Sequence, residues 1–248
     1  MGSKGKGSWR VFVETTRTRV RRLGFVFTRT IRYTTPRLII MGLGSYLHDV
    51  FTRYIDKSTV KTILELGSRD GLDAIEMSEY YDADVFAFEC NPSAIEICKE
   101  NLHGHERVHL YEQAVWDEEG TISFYPVING NTGASSCFVA IDDYPYETPY
   151  EQEEIVVPSI RLENWFEKEG CFPELICIDL QGAELRALKG MGEIPSSVKY
   201  IITEGQTKPM YEGVNLIPEI EDYLEEFGFS IRADKLVNPY FGDFLFVR

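Results

Sequence analysis

Three acids and a pair of glycines are the residues of this chain best placed to do chemistry. Glu65-Leu66-Gly67-Ser68-Arg69-Asp70-Gly71 sets two glycines four residues apart, directly after an apolar run. Glu89 follows Gly67 by 22 residues, and Asp179 and Glu204 each close a later apolar run. Glycines let a backbone bend sharply and approach a ligand closely. The N–H groups of a helix that starts beyond them are free to meet that ligand. An acid about 20 residues past such a turn is where a ribose hydroxyl is held in nucleotide-type sites. Asp179 and Glu204 are candidate general bases, with Glu184 placed to hold either. An ordinary carboxylate is a weak base, so this use requires burial or a like-charged neighbour to raise its pKa. The alternative use of Asp179 and Glu204 is to hold a divalent cation that acidifies a hydroxyl; such a metal is possible but is not expected. A surface-charge reading of these acids is harder to sustain for three on one rim than for one.

The elements that must position these residues follow from the apolar pattern. Thr62 to Leu66 reads as a buried parallel strand, and Leu72 to Met77 begins a helix. Val85 to Phe88 is a second strand that ends at Glu89, and Pro92 suits the first turn of a helix over residues 93–102. Val108 to Tyr111, Thr121 to Tyr125, Ile155 to Val157, Leu175 to Ile178 and Val198 to Thr203 read as further strands, the last ending at Glu204. Leu162 to Glu169 is a short helix, Gln181 opens a helix that runs to Lys189, and Ile217 to Phe227 is another. Ser230 to Arg232 and Asp243 to Val247 are the last two strands. Strands that alternate with helices make a mostly parallel sheet, which binds ligands beyond the carboxyl ends of its strands. Residues 126–153 read as a long loop, a common form of binding lid.

Composition narrows the class. The chain has 248 residues, 44% hydrophobic and 26% charged, enough for one α/β domain with an extension. It has no apolar run of about 20 residues and no secretory pattern, so a cytoplasmic protein is expected. The five cysteines (Cys90, Cys98, Cys137, Cys171, Cys177) form no C-x-x-C pair and read as reduced thiols. His103 and His105 flank Gly104 in what reads as a helix C-cap loop, with no third metal ligand nearby. The net charge of −15 is uneven: residues 1–37 hold ten Lys/Arg against one acid, a net of +9, which leaves −24 for the rest. An acidic body argues against a broad nucleic-acid surface. Residues 1–8 read as disordered, and residues 9–35 as a basic amphipathic arm. That arm could lie on an anionic membrane, grip a nucleic acid, pack on a sister subunit or cover the domain edge. Leu38 to Ile55 reads as a helix near the mouth of the ligand site, with His48-Asp49 as an exposed polar pair. The division is therefore residues 1–60, arm and helix, and residues 61–248, the domain that carries the chemistry.

The glycine spacing E-x-G-x-x-x-G departs from the dinucleotide fingerprint and matches the S-adenosylmethionine (SAM) loop of class I methyltransferases. Together with Phe86-Ala87-Phe88-Glu89-Cys90-Asn91-Pro92, Ala114-Val115-Trp116-Asp117-Glu118-Glu119-Gly120, Ile178-Asp179-Leu180-Gln181-Gly182-Ala183-Glu184, Glu204 and Tyr211-Glu212-Gly213, the chain from about Lys61 to Arg248 resembles the FkbM-type SAM-dependent methyltransferases. Departures from that family are Cys90 in place of proline, Cys177 in place of lysine and Gln181 where many members have glutamate. The resemblance implies an α/β, Rossmann-like fold with a seven-stranded, mostly parallel sheet whose last strand is antiparallel. It implies methyl transfer from SAM to a hydroxyl, typically of a sugar, a glycan or a natural-product scaffold. A SAM-binding module without turnover and an RNA methyltransferase recruited by the arm are the rival readings. On the expected reading, Glu65, Gly67, Ser68, Arg69, Asp70 and Gly71 cradle the methionine end of SAM. Glu89, with Cys90 and Asn91, takes the ribose, and Gln113, Ala114 and Val115 border the adenine. Asp179, then Glu204, serves as base, and Asn131, Ser135, Ser136 and Gln181 contact the acceptor.

Overall fold

A computed structural model describes residues 45–141 and 150–248. The basic arm and the residues 38–44 of the expected first helix lie outside the described residues, as do positions 142–149 of the long loop.

The strands in chain order are β1 (Thr62–Leu66), β2 (Asp84–Phe88), β3 (Val108–Tyr111), β4 (Ala114–Val115), β5 (Gly120–Phe124), β6 (Val127–Asn129), β7 (Glu151–Gln152), β8 (Ile155–Ile160), β9 (Leu175–Ile178), β10 (Tyr200–Gln206), β11 (Ser230–Leu236) and β12 (Phe241–Val247). The helices are α1 (Asp49–Thr52), α2 (Leu72–Tyr81), α3 (Pro92–Asn101), α4 (Leu162–Glu169), α5 (Glu184–Lys189) and α6 (Ile217–Glu225). Seven strands form one sheet in the order β11-β12-β10-β9-β1-β2-β3. The pairings β1–β2, β1–β9, β9–β10 and β2–β3 are parallel, while β12 runs antiparallel to both β10 and β11. This is the expected class I methyltransferase architecture.

The central strands are buried on both faces, which is why they read as apolar runs rather than alternating ones. Leu64, Leu66, Ile176, Ile178 and Ile201 point to one face and pack with Trp165, Leu188 and Ile220. Ile63, Val85, Leu175, Cys177 and Ile202 point to the other, against Met77, Tyr81 and Phe51. The period-2 alternation of a strand divides them this way.

Four expectations need correction. The single helix expected through Ile55 is, from residue 45 on, a 3-10 turn (Ser45–Leu47) and the four-residue α1. His48 separates the two in extended conformation and caps α1 with Nδ1, which accepts from Val50 N. Tyr46, Leu47, Phe51 and Ile55 pack into the core against α2. The long loop is partly ordered: β6 pairs with β7, and Tyr125 bridges to Ser136. The helix expected from Gln181 begins at Glu184, because Gln181 (φ 51°) and Gly182 (φ 103°) have left-handed backbone that no right-handed helix accepts. Glu204 does not end its strand. β10 continues to Gln206, and the β9 partner stops at the Thr203–Ile178 pair, so the strand partner of Glu204 is Asp243 of β12.

Candidate active site

The β1–α2 turn is built from close approach. Gly67 (φ 92°) lies so near β9 that a Cβ there would fall 1.9 Å from the Asp179 carbonyl oxygen, so no other residue fits. Gly67 and Ser68 both donate their N–H to the Phe88 carbonyl, and Asp179 N donates to the Leu66 carbonyl. The ends of β1, β2 and β9 are thereby tied together. Gly71 (φ 77°) opens α2 in left-handed conformation against Leu102.

Glu89 ends β2 inside a ring of backbone donors. Its Oε2 accepts from Arg69 N at 2.8 Å, and its Oε1 accepts from Cys90 N at 2.8 Å and Asn91 N at 2.7 Å. A carboxylate offers about four acceptor positions, so Oε2 keeps capacity for a ligand hydroxyl. Burial pushes the Glu89 carboxyl up from its usual range, against the opposing pull of the three N–H groups.

A cleft of about 730 Å³, counting its open mouth, runs from Glu89 to Asp179. Of the residues singled out in the sequence, Gly67, Arg69, Glu89, Cys90, Asn91, Gln113, Ala114, Val115, Ser135, Asp179 and Gln181 line it. Phe88, Ala94, Phe124, Thr132, Gly133, Cys137, Leu180 and Ala183 line it too. None of these has a side chain whose type announces a site. The segment around Thr132–Ala134 forms one wall, where Gly133 lies against the Arg69 side chain. Asn131 caps that turn through Gly133 N, and the Ser135 hydroxyl donates to the Thr132 carbonyl. Glu65 and Ser68 are buried beneath the loop. Asp70 Oδ1 accepts from Leu72 N, the first residue of α2.

Beyond the cleft lies the acid cluster. Asp179 is partly exposed, whereas Glu184 and Glu204 are buried. The Gln181 amide nitrogen donates to Asp179 Oδ1 at 2.7 Å and to Glu204 Oε2 at 2.8 Å. Tyr211 Oη is 2.8 Å from Gln181 Oε1 and 2.9 Å from the Ala134 carbonyl, while the Ser136 hydroxyl donates to the Gln181 carbonyl at 2.7 Å. Glu184 Oε1 accepts from Leu180 N and Gly182 N, both at 3.0 Å, and so fixes the turn that carries Gln181. Asp179, Glu184 and Glu204 each offer an oxygen within 4.8 Å of the others. The space between Asp179 and Glu204 is spanned by amide N–H donors, the reverse of what a cation requires. Tyr211 had no local signal in the sequence; its chain distance from Gln181 is 30 residues.

Burial raises the whole cluster. It pushes Asp179 up and Glu204 well up, Glu184 to about 7 and Asp243 to about 7. Glu65, also buried, is pushed to about 8, and its Oε2 has no hydrogen-bond partner among the described residues. Asp73 is raised to about 6 by the same cause. A cation brought beside such acids favours their ionised form and is attracted in return. SAM carries a sulfonium and an α-ammonium. The tightly packed glycine turn, whose Gly67 and Arg69 line the cleft with Glu65 buried behind them, fits its methionine end, and Glu89 fits its ribose.

Fold and site thus define a class I SAM-dependent methyltransferase. The Methyltransferase FkbM domain family matches residues 65–231. The chain is 31% identical over 179 residues to the 2-O-methyltransferase NoeI of Sinorhizobium fredii, covering 66% of this chain and 71% of that one. The chain belongs to the FkbM methyltransferase family. Solved structures of similar shape include a ribosomal protein L11 methylase from Lactobacillus delbrueckii subsp. bulgaricus (13% identity, TM-score 0.47, 79% of this chain and 73% of that one). Another is the magnesium protoporphyrin IX methyltransferase of Synechocystis PCC 6803 with bound SAM (10% identity, TM-score 0.45, 78% and 72%). Among the described residues no helix is long and apolar enough to cross a membrane.

Proposed function

We propose that this enzyme methylates a hydroxyl oxygen of a sugar, glycan or natural-product scaffold, with Asp179 as the base. One observation carries the reading: Asp179 lines the cleft beside the glycine turn, partly exposed and raised in pKa by burial, with its Oδ1 tied to Gln181. The name of the 2-O-methyltransferase relative likewise specifies an oxygen acceptor.

SAM supplies a methyl group already activated on a sulfonium. The chain's own work is to bind, orient and take a proton. The Glu65–Gly71 turn and Glu89 would hold the cofactor ends. Gln113, Ala114 and Val115, which line the cleft, would border the adenine. A sugar hydroxyl is a poor nucleophile, and Asp179 accepts its proton as the oxygen becomes an ether. Burial serves this role, since a carboxylate of raised pKa is a stronger base. Positioning the hydroxyl supplies the rest.

The test is transfer of labelled methyl from SAM to a panel of methyl glycosides with free hydroxyls, using wild type and Asp179→Asn. Transfer by wild type, with its loss in the variant while SAM still binds calorimetrically, supports the reading. A wild type that binds SAM yet methylates nitrogen acceptors in preference to every hydroxyl would overturn it.

A further inference from the structure

We propose that Gln181 is a positioning residue: it orients the Asp179 carboxylate for the acceptor by donating one amide hydrogen to Asp179 and the other to Glu204, with Tyr211 fixing which end of the amide faces them. This rests on the reading of Asp179 as base, but its test needs no acceptor.

The geometry leaves the amide little freedom. Both donors are used, at 2.7 and 2.8 Å, on carboxyl oxygens of Asp179, just after β9, and Glu204, within β10. The amide oxygen faces the Tyr211 hydroxyl at 2.8 Å. Turning the amide over would set its oxygen against two carboxyl groups and lose both donor bonds. The backbone is fixed as well. Gln181 sits at φ 51°, its carbonyl is held by the Ser136 hydroxyl, and Glu184 receives the N–H groups on either side of it. Such left-handed backbone persists only where the surroundings over-determine it. Asp179 Oδ1 is committed to the amide, which sets the plane of the carboxylate and leaves Oδ2 for other partners.

The amide also opposes the crowding of charge. Glu184 and Asp243 act on Glu204, and Asp73, Glu89 and Asp243 share the field of Asp179. Arg69 is the cation that pulls Asp179 down, and the phenols of Tyr46 and Tyr211 face the same cluster. Within that set, Gln181 donates to the ionised form of both carboxyls and lowers both. Its loss therefore moves their titration to higher pH.

SAM is a cation, and Asp179 lines the cleft, so ionisation of this pair adds a few-fold share to SAM affinity beside that of Glu65, Asp73 and Glu89; Gln181 donates to the pair alone, so its variants move only the pair's share. The experiment is calorimetric titration of SAM into the intact chain from pH 5 to 9, for wild type, Gln181→Met and Tyr211→Phe. Gln181→Met keeps side-chain length and neutrality but removes both donors. We expect its midpoint to rise by about one pH unit, with affinity at pH 9 within about threefold of wild type. Tyr211→Phe, which frees the amide to turn, shifts the midpoint the same way by a few tenths of a unit. A Gln181→Met midpoint within about 0.2 unit of wild type would overturn the assignment, as would reduced affinity at every pH with no shift, the mark of a merely structural role. If Gln181→Met does not fold, Tyr211→Phe decides: an unmoved midpoint overturns the assignment and an upward shift sustains it. Failure of the hydroxyl reading is separate, because it would appear as absent transfer to glycosides in a wild type whose SAM titration is normal.

Discussion

Glu89 and Glu204 are both buried carboxyls on the carboxyl rim of one sheet, but they are satisfied in opposite ways. Glu89 receives three backbone N–H groups from two chain segments, the Arg69 turn and the start of α3. Glu204 shares a single side-chain amide with Asp179 and faces other acids. Backbone donors cannot leave, so the first arrangement suits a fixed hydrogen-bond acceptor for a ligand. Burial, with like-charged neighbours around Glu204, keeps the pair proton-hungry although the shared amide lowers both carboxyls, which suits a base. On the proposed reading, the β1–β2 side of the rim binds and the β9–β10 side takes a proton.

That contrast can be broken most sharply at Asp179. Asp179→Asn should lower methyl transfer about 10³-fold, the scale of a lost general base, with SAM affinity changed only a few-fold. An equal loss in SAM affinity would erase the distinction between the two sides. Glu89→Ala should do the reverse and weaken SAM and S-adenosylhomocysteine about 100-fold by calorimetry, from lost hydrogen bonds to an ionised acceptor. It should also lower the melting temperature, because three N–H groups lose their acceptor.

Gly67→Ala tests the tie between the two sides. Its Cβ would collide with the Asp179 carbonyl at 1.9 Å in a left-handed backbone, and a loss of roughly 2–4 kcal/mol in denaturant unfolding is expected.

The smallest effect is on the pH dependence of stability. Glu65 (about 8), Glu184 (about 7), Asp243 (about 7) and Asp73 (about 6) are acids raised above their unfolded values. The folded state then binds more protons than the unfolded one, so stability falls as pH rises. The melting temperature without SAM should decline from about pH 5 to 8, and the stabilisation by saturating SAM should be larger at pH 8 than at pH 5. Glu65→Gln should flatten the decline. A melting temperature that rises over this window would show that the rim acids are ionised without SAM.

The local signals of the sequence reached the binding side almost entirely. An apolar run, two glycines and an acid 22 residues on are enough to build β1, the turn, α2 and the end of β2. Backbone rules act over short range, and each of these pieces obeys them. The seven-stranded, mostly parallel sheet with its antiparallel last strand likewise followed from strands alternating with helices, together with the resemblance to a known family; the order of its strands came from the structure.

The side proposed to take the proton was legible only as residue types. That Asp179 and Glu204 are acids at the rim is in the sequence; that an amide from Gln181 joins them, under a tyrosine 30 residues further on, is not. The left-handed backbone at Gln181, which delays α5 to Glu184, has no glycine at that position to signal it. The extension of β10 past Glu204 depends on antiparallel pairing with β12, a partner nearly 40 residues away in the chain. Sequence alone determined which groups could ionise and which segments would be strands and turns, since these are properties of single residues and their neighbours. Only the tertiary structure decided which acids share a donor and how far burial raises them, because dielectric surroundings and hydrogen-bond partners come from segments brought together by folding.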